Sequence, residues 1–171
     1  MVDLFFSLSE ESIDALIDTL KGIKKSKQKM ASEITRLSLH QMKDYAQERV
    51  RKTVGKTGYP PTGELEQNFQ IKRNRSKGTL KNVHPNSAAV EFGTGIVGES
   101  SPHPLAGEQS YQYDVNEHGE QGWDYGENHE FHTQGEVAHR FMYDSISMLE
   151  TSGVLQEIGE KAFKKGFENV K

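Results

Sequence analysis

The residues best suited to chemistry cluster late in the chain. His129, Glu130 and His132 form the run HEFH, and His103, His118 and His139 lie elsewhere in the same half with many carboxylates between them. Imidazoles three residues apart on one helical face can share a divalent ion whose shell carboxylate oxygens complete. His103, His118, His129 and His132 with Glu130 therefore define one functional alternative, a metal-dependent hydrolase. Against it, the spacing is one residue short of His-Glu-x-x-His, and Gly126 and Gly135 flank the run closely enough to work against a helix. Solvated or interface histidines are the plainer reading, and we assign no metal, no other cofactor and no catalytic residue.

Nucleophilic catalysis asks for a Ser or Thr beside an oriented base, and the chain has no Gly-x-Ser-x-Gly elbow. The stretch GTGIVG, Gly93 to Gly98, is a loose likeness of a phosphate-cradling loop. However, Glu91 and Glu99 sit beside it and no Lys follows, so its glycines read as turn formers. KGIKKSKQK (21–29), RVRK (49–52) and KRNRSKGTLK (72–81) could meet phosphates, which opens a second alternative, a nonspecific DNA-binding accessory protein acting through a basic helix. No aromatic residues interleave these runs and no base-reading motif is present. Trp123, Tyr125 and Phe131, with His129 and His132, stand in a polar, glycine-rich context and are candidate interface residues, since aromatic anchors supply large contact area with few rotors.

The elements that must position these groups follow from periodicity. Ser7 and Glu10 have capping-box spacing, and Ile13, Leu16, Ile17, Leu20 and Ile23 recur at helical intervals, which predicts a helix over 9–22. Gly22 and KKSKQK are read as an interruption. A second, long and basic helix follows over 27–53, with Met30, Ile34, Leu37, Met42 and Tyr45 as its apolar stripe. GKTGYPPTG (55–63) is a loop. NFQIKRN (68–74), TLKNV (79–83) and AAVEF (88–92) predict an antiparallel meander. From Gly93 to Gly135, 43 residues with eight glycines show no clear period, as a long loop would. Helical spacing returns from Val137 to Leu149, ending near Gly153, and again over 153–168. The fold class is α+β: N-terminal helices, one long and basic, a small antiparallel sheet with a long acidic loop, and C-terminal helices packed on the sheet.

Composition sets the wider bounds. The length of 171 residues suits one domain, and Leu, Ile, Val and Phe together number 37, close to the fraction at which a chain only just holds a core. Association would supply the missing burial, so an oligomer is expected. There is no cysteine, hence no disulfide, thiolate metal site or cysteine nucleophile. No secretory signal or membrane span is visible, and a soluble, non-membrane protein is expected. The net charge of −4 conceals a division: residues 1–81 carry +6 and residues 82–171 carry −10, with ten carboxylates and no Lys or Arg over 82–139. Halves of opposite sign suit complementary contacts between copies.

Three segments carry a family resemblance. PTGELEQNF (61–69), SAAVEFGTG (87–95) and HTQGEVAHRFMYDSI (132–146) resemble, in that order, segments of the tail-completion or head–tail joining proteins of long-tailed bacteriophages, small neck or minor tail proteins. Thr62, Gly63 and Leu65 match the first motif, Val90, Glu91, Phe92, Gly93, Thr94 and Gly95 the second, and Phe141 the third. In the family the second motif is a strand end that precedes a variable loop. The stretch between Gly95 and His132 is longer here than usual, and Met-Tyr-Asp-Ser stands where the family often has Leu, Pro and Ala. The resemblance implies a single domain with a helical part over 1–54, a family-like core over 61–146 and a C-terminal helix over 147–171. It also implies a virion structural protein assembled in the host cytoplasm and not an enzyme. Such a protein forms a ring, commonly a hexamer, at the head–tail junction or tail top, contacting the neck or connector protein on one side and the tail tube on the other, with DNA passing through the channel.

Overall fold

A computed structural model describes residues 10–54, 63–113, 121–125 and 128–167. One helix organises it: α1 (Glu10–Thr53) runs 44 residues without a break, about 66 Å at a rise of 1.5 Å per residue. The expected interruption at Gly22 and KKSKQK does not occur. Lys and Gln are good helix formers, and one internal Gly costs only about 1 kcal/mol, less than the neighbouring contacts return. The expected break is in fact the seam against the last helix, α6 (Val154–Phe167). Ser26 and Ala162 are buried there, and a Cβ on Gly166 would lie 3.3 Å from Met30 Cβ and from the Ser26 carbonyl oxygen. Small residues at both sides allow that approach. Beside the seam, Glu33 accepts from Arg36 and Lys165, and these cations hold its carboxyl down to about 2.

The C-terminal half of α1 supplies the core. Leu39, Ala46, Val50 and Val54 are buried, whereas Met30, Ile34, Leu37, Met42 and Tyr45 are only half-buried. The 55–62 loop, with Thr62 of the first motif, and Ser7 lie outside the described residues. After Gly63 comes a single turn, α2 (Glu64–Gln67), which drives Leu65 into the core. Strands β1 (Phe69–Asn74) and β2 (Lys77–Asn82) then form an antiparallel hairpin, Phe69 opposite Asn82 and Asn74 opposite Lys77. Its connection is two residues, Arg75 and Ser76, tighter than the RSKG separator suggested.

The third strand of the expected meander is absent, because Ser87–Phe92 is a helix, α3. Val90 and Glu91 are both buried. Successive strand residues face opposite sides, while successive helical residues lie about 100° apart, so burying both neighbours in one direction requires the helix. The described residues of the 93–135 stretch also form more regular structure than its sequence suggests. It contains α4 (Gly95–Ser100), β3 (Trp123–Tyr125), which pairs with β4 (Phe131–Thr133), and the start of β5 (Gly135–Glu136), bridged to Thr94 and Gly95. Helix α5 (Phe141–Thr151) begins at Phe141, later than the Val137 periodicity implied.

The class is α+β as expected, with one N-terminal helix rather than several. The C-terminal helices pack chiefly along α1, and α5 also meets the hairpin through Phe141 against Phe69. Asp144 of α5 receives Arg49 of α1 at 2.5 Å. The core comprises Ala46, Val50, Val54, Leu65, Phe69, Val90 and Phe141, with the rings of Phe69 and Phe141 edge to face at 5.7 Å. No helix among the described residues is long and apolar enough to cross a membrane.

Phe141 is 1% exposed, and Phe141→Ala should lower stability by about 3–5 kcal/mol through lost transfer energy and a residual cavity. Denaturant unfolding checks this: an unchanged midpoint would place Phe141 outside the core.

Candidate functional site

The second motif, residues 90–95, sits where the elements meet. Helix α5 begins after Arg140, whose φ of 50° places it in the left-handed region and whose side chain does not cap the helix. Glu91 caps α5 from across the fold. Its Oε2 accepts the Met142 N–H at 2.8 Å and its Oε1 accepts the Tyr143 N–H at 2.9 Å. These are two of the donors that a helix N-terminus leaves without intrahelical partners, and a carboxylate there also faces the positive end of the helix dipole. The exchange is mutual: His139 N–H donates to the Val90 carbonyl at 3.0 Å and Arg140 N–H to that of Glu91 at 3.2 Å. The C-terminus of α3 and the N-terminus of α5 thereby satisfy each other.

Phe92 leaves this junction on the other side. Its ring stacks on Tyr111 at 4.6 Å and lies 4.3 Å from the His103 ring. Gly93 then reverses the chain at φ 84°, and a Cβ there would meet the Glu136 carbonyl oxygen at 2.7 Å, so both the turn and the close approach require glycine. The Gly93 carbonyl accepts from the Tyr111 hydroxyl. The GTGIVG stretch is not open to an anion: Gly95 N–H donates to Tyr113 O at 2.5 Å and Val97 N–H faces Gln134 O at 3.4 Å. Thr94 fixes the returning strand, its hydroxyl accepting the Glu136 N–H.

Two of the sequence's chemistry-bearing residues meet here. His103 is 3% exposed and its Nε2 lies 3.3 Å from Glu91 Oε1, without the alignment of a hydrogen bond. Its Nδ1 accepts the Leu105 N–H at 3.0 Å, which puts the proton of the neutral ring on Nε2. Beside the pair lies an open cleft of about 280 Å³, lined by Ala88, Phe92, Phe141 and Tyr143 among others. An acid beside an imidazole is the raw material of acid–base catalysis. Here both carboxylate oxygens already accept backbone N–H groups, and the imidazole acceptor is occupied by a backbone donor.

The other described histidines do not join them. His118 lies outside the described residues. His129 is exposed at φ 54° and His132 is on strand β4, so HEFH forms no helical pair. His132 binds locally instead, Nδ1 to Asp124 Oδ1 at 2.7 Å and Nε2 to the Gln121 carbonyl at 2.8 Å. His139 is buried with Nε2 3.3 Å from Glu136 Oε2. Among the described residues no three His, Asp or Glu side chains come together to hold a metal ion. Of the aromatic candidates, Tyr125 and Phe131 face each other across β3 and β4 at 5.4 Å, with Phe131 54% exposed and Trp123 half-buried. Sequence reading placed the motif but missed Glu91 as a cap, because its partners lie 51 and 52 positions away. No protein-family model, curated protein or solved structure matches the chain.

Two outcomes are expected. Glu91→Ala should cost about 1–3 kcal/mol by leaving the first turn of α5 without its acceptor, with Glu91→Gln milder because one oxygen remains. Equal midpoints for Glu91→Ala and the unaltered protein would refute the cap. Second, both ring nitrogens of His132 face oxygens, and the Asp124 carboxylate foremost, then the Gln121 carbonyl, raise its pKa. Any contribution to β3–β4 pairing is therefore complete below the ordinary imidazole value and is lost as pH rises through the raised one. In an NMR titration the His132 midpoint should lie above about 6.5 and fall in Asp124→Asn; no fall would detach the shift from Asp124.

Proposed function

We propose that this chain is a structural subunit of a tailed-phage virion, forming a ring at the head–tail junction or tail top that joins the tail tube to the neck or connector around the DNA channel. One observation carries the reading: the three segments that bear the resemblance converge. Leu65 and Phe69 from the first, Val90 and Glu91 from the second, and Phe141 and Met142 from the third share one core and one helix junction. The residues matched to the family are thus those that fix the architecture.

The surface supports association. Ile17, Leu20 and Ile23 recur at helical spacing on the N-terminal part of α1 and are 42%, 56% and 43% exposed. An apolar stripe left open on a helix calls for a partner, and in a ring of identical subunits that partner is another copy. A hexamer is the copy number the resemblance implies. A role without catalysis fits the occupied state of Glu91 and His103, and the hydrolase alternative has no convergent ligand set among the described residues.

Light scattering on the purified protein, with metal content measured on the same sample, tests the reading. We expect a closed assembly whose mass is an integral multiple of 19.3 kDa, visible as rings by electron microscopy and free of stoichiometric metal. A monomer that retains one transition-metal ion per chain after dialysis would overturn it in favour of the hydrolase.

A further inference from the structure

Helix α1, the tip of the β1–β2 hairpin and the end of α6 enclose an open groove of about 1020 Å³. Its walls carry Lys24, Lys25, Lys27, Lys29, Arg75 and Lys165, all exposed, with Glu33 as the one acidic lining residue. Among the described residues, Lys165 pairs with that Glu33, while Lys24, Lys25, Lys27, Lys29 and Arg75 form no ion pair. Arg75 occupies the two-residue hairpin turn at φ 52°, a conformation uncommon for a residue with a side chain. The turn sets an arginine over the groove where Gly or Asn would relieve the backbone.

Cations held together this way repel one another and await an anionic occupant. The same chain carries a surplus of the opposite charge. Residues 82–139 hold ten carboxylates and no Lys or Arg. Of these, Glu99, Glu108, Asp124 and Glu130 are exposed, and Glu99 and Glu108 make no ion pair among the described residues. We infer that the basic groove is the docking site for the exposed acidic surface around Glu99 and Glu108 of a second copy of this chain, in a head-to-tail contact. This rests on the ring-subunit reading and names the two faces that the ring would join.

Three features favour a second copy over nucleic acid. The whole chain has a net charge of −4 and a pI near 6.0, which opposes the long-range approach of DNA, whereas DNA-binding domains are strongly basic. The groove has no aromatic lining on which bases would stack. Apolar surface adjoins the charge: Lys24 and Lys27 follow Leu20 by four and seven residues, and Lys27 follows Ile23 by four, so they share a helix face with the exposed Ile17, Leu20 and Ile23. An apolar patch bordered by charge is the composition of a protein interface. A different face on each partner also makes the contact heterologous, the kind that closes into rings.

Charge reversal in solution tests it. One variant carries Lys24→Glu, Lys25→Glu and Lys27→Glu, and the other carries Glu99→Lys and Glu108→Lys. All five positions are exposed, and circular dichroism confirms that each variant folds. At low salt each variant alone should associate at least about tenfold more weakly than the unaltered chain, as the loss of several cross-interface pairs requires. Mixed, they should regain assembly with the two variants alternating, because the intact acidic face of the first fits the intact groove of the second, and the reversed groove of the first, now acidic, fits the reversed face of the second, now basic. An assembly of unchanged mass in both variants would overturn the inference while leaving the ring. A monomer of the unaltered chain at every concentration and salt would overturn both. Groove-dependent binding of a short DNA duplex, with self-association indifferent to groove reversal, would assign the groove to nucleic acid instead.

Discussion

The carboxylate of Glu91 at the start of α5 is the contact on which the other local arrangements depend. A helix N-terminus inside a protein presents N–H donors that water cannot reach, and Arg140, held at positive φ, does not cap them with its side chain. Glu91 can reach them only if α3 ends beside α5, and α3 ends there because Gly93 turns the chain and the carbonyls of Val90 and Glu91 receive His139 and Arg140. Val90 and Phe141 follow as neighbours in the core, one from each side of the junction. Phe92, next after Glu91, stacks with Tyr111 and lies against His103. A run of four residues thus sets two helix ends, a core contact, an aromatic stack and a chain reversal.

This explains why a sequence with several histidines and many carboxylates shows so little that resembles a reaction centre. Among the described candidates, Glu91, His103 and His132 are engaged with backbone or a nearby side chain. Glu91 holds N–H groups, His103 accepts one from Leu105, and His132 bridges Asp124 and the Gln121 carbonyl. In a chain short of large apolar residues, polar side chains that satisfy buried or half-buried backbone supply order that a larger core would otherwise provide. The long glycine-rich excursion is held in the same manner, through Gly95 N–H to Tyr113 and Thr94 to Glu136.

What the sequence revealed and what it concealed divide along physical lines. Long periodic segments were legible: α5, α6 and the second half of α1 follow their apolar spacing, and the hairpin follows its alternation. The motif's sharp turn was legible from Gly93 alone. The helix α3 was not, since a six-residue run with Ala, Val and Phe in alternation satisfies strand and helix templates alike, and only burial of both Val90 and Glu91 decides. Continuity of α1 through Gly22 was hidden for a different reason: the support for that segment comes from Ala162 and Gly166, far along the chain. Small residues leave no periodic signal, so a seam built from Ser26, Ala162 and Gly166 is invisible until the helices are side by side.

The two ends of α1 make the same point about function. Its C-terminal half is fixed by the core and by Arg49 on Asp144, whereas Ile17, Leu20 and Ile23 toward its N-terminus are exposed. A helix held at one end and left apolar at the other gains stability when another surface covers the free part, and the charge beside that part selects which surface. Since the exposed Glu99 and Glu108 follow on Gly93 and Thr94, the junction that completes the fold also sets where the acidic surface that we propose for the next copy stands. In the proposed assembly, folding and association would therefore draw on the same few residues, those of the junction between α3 and α5.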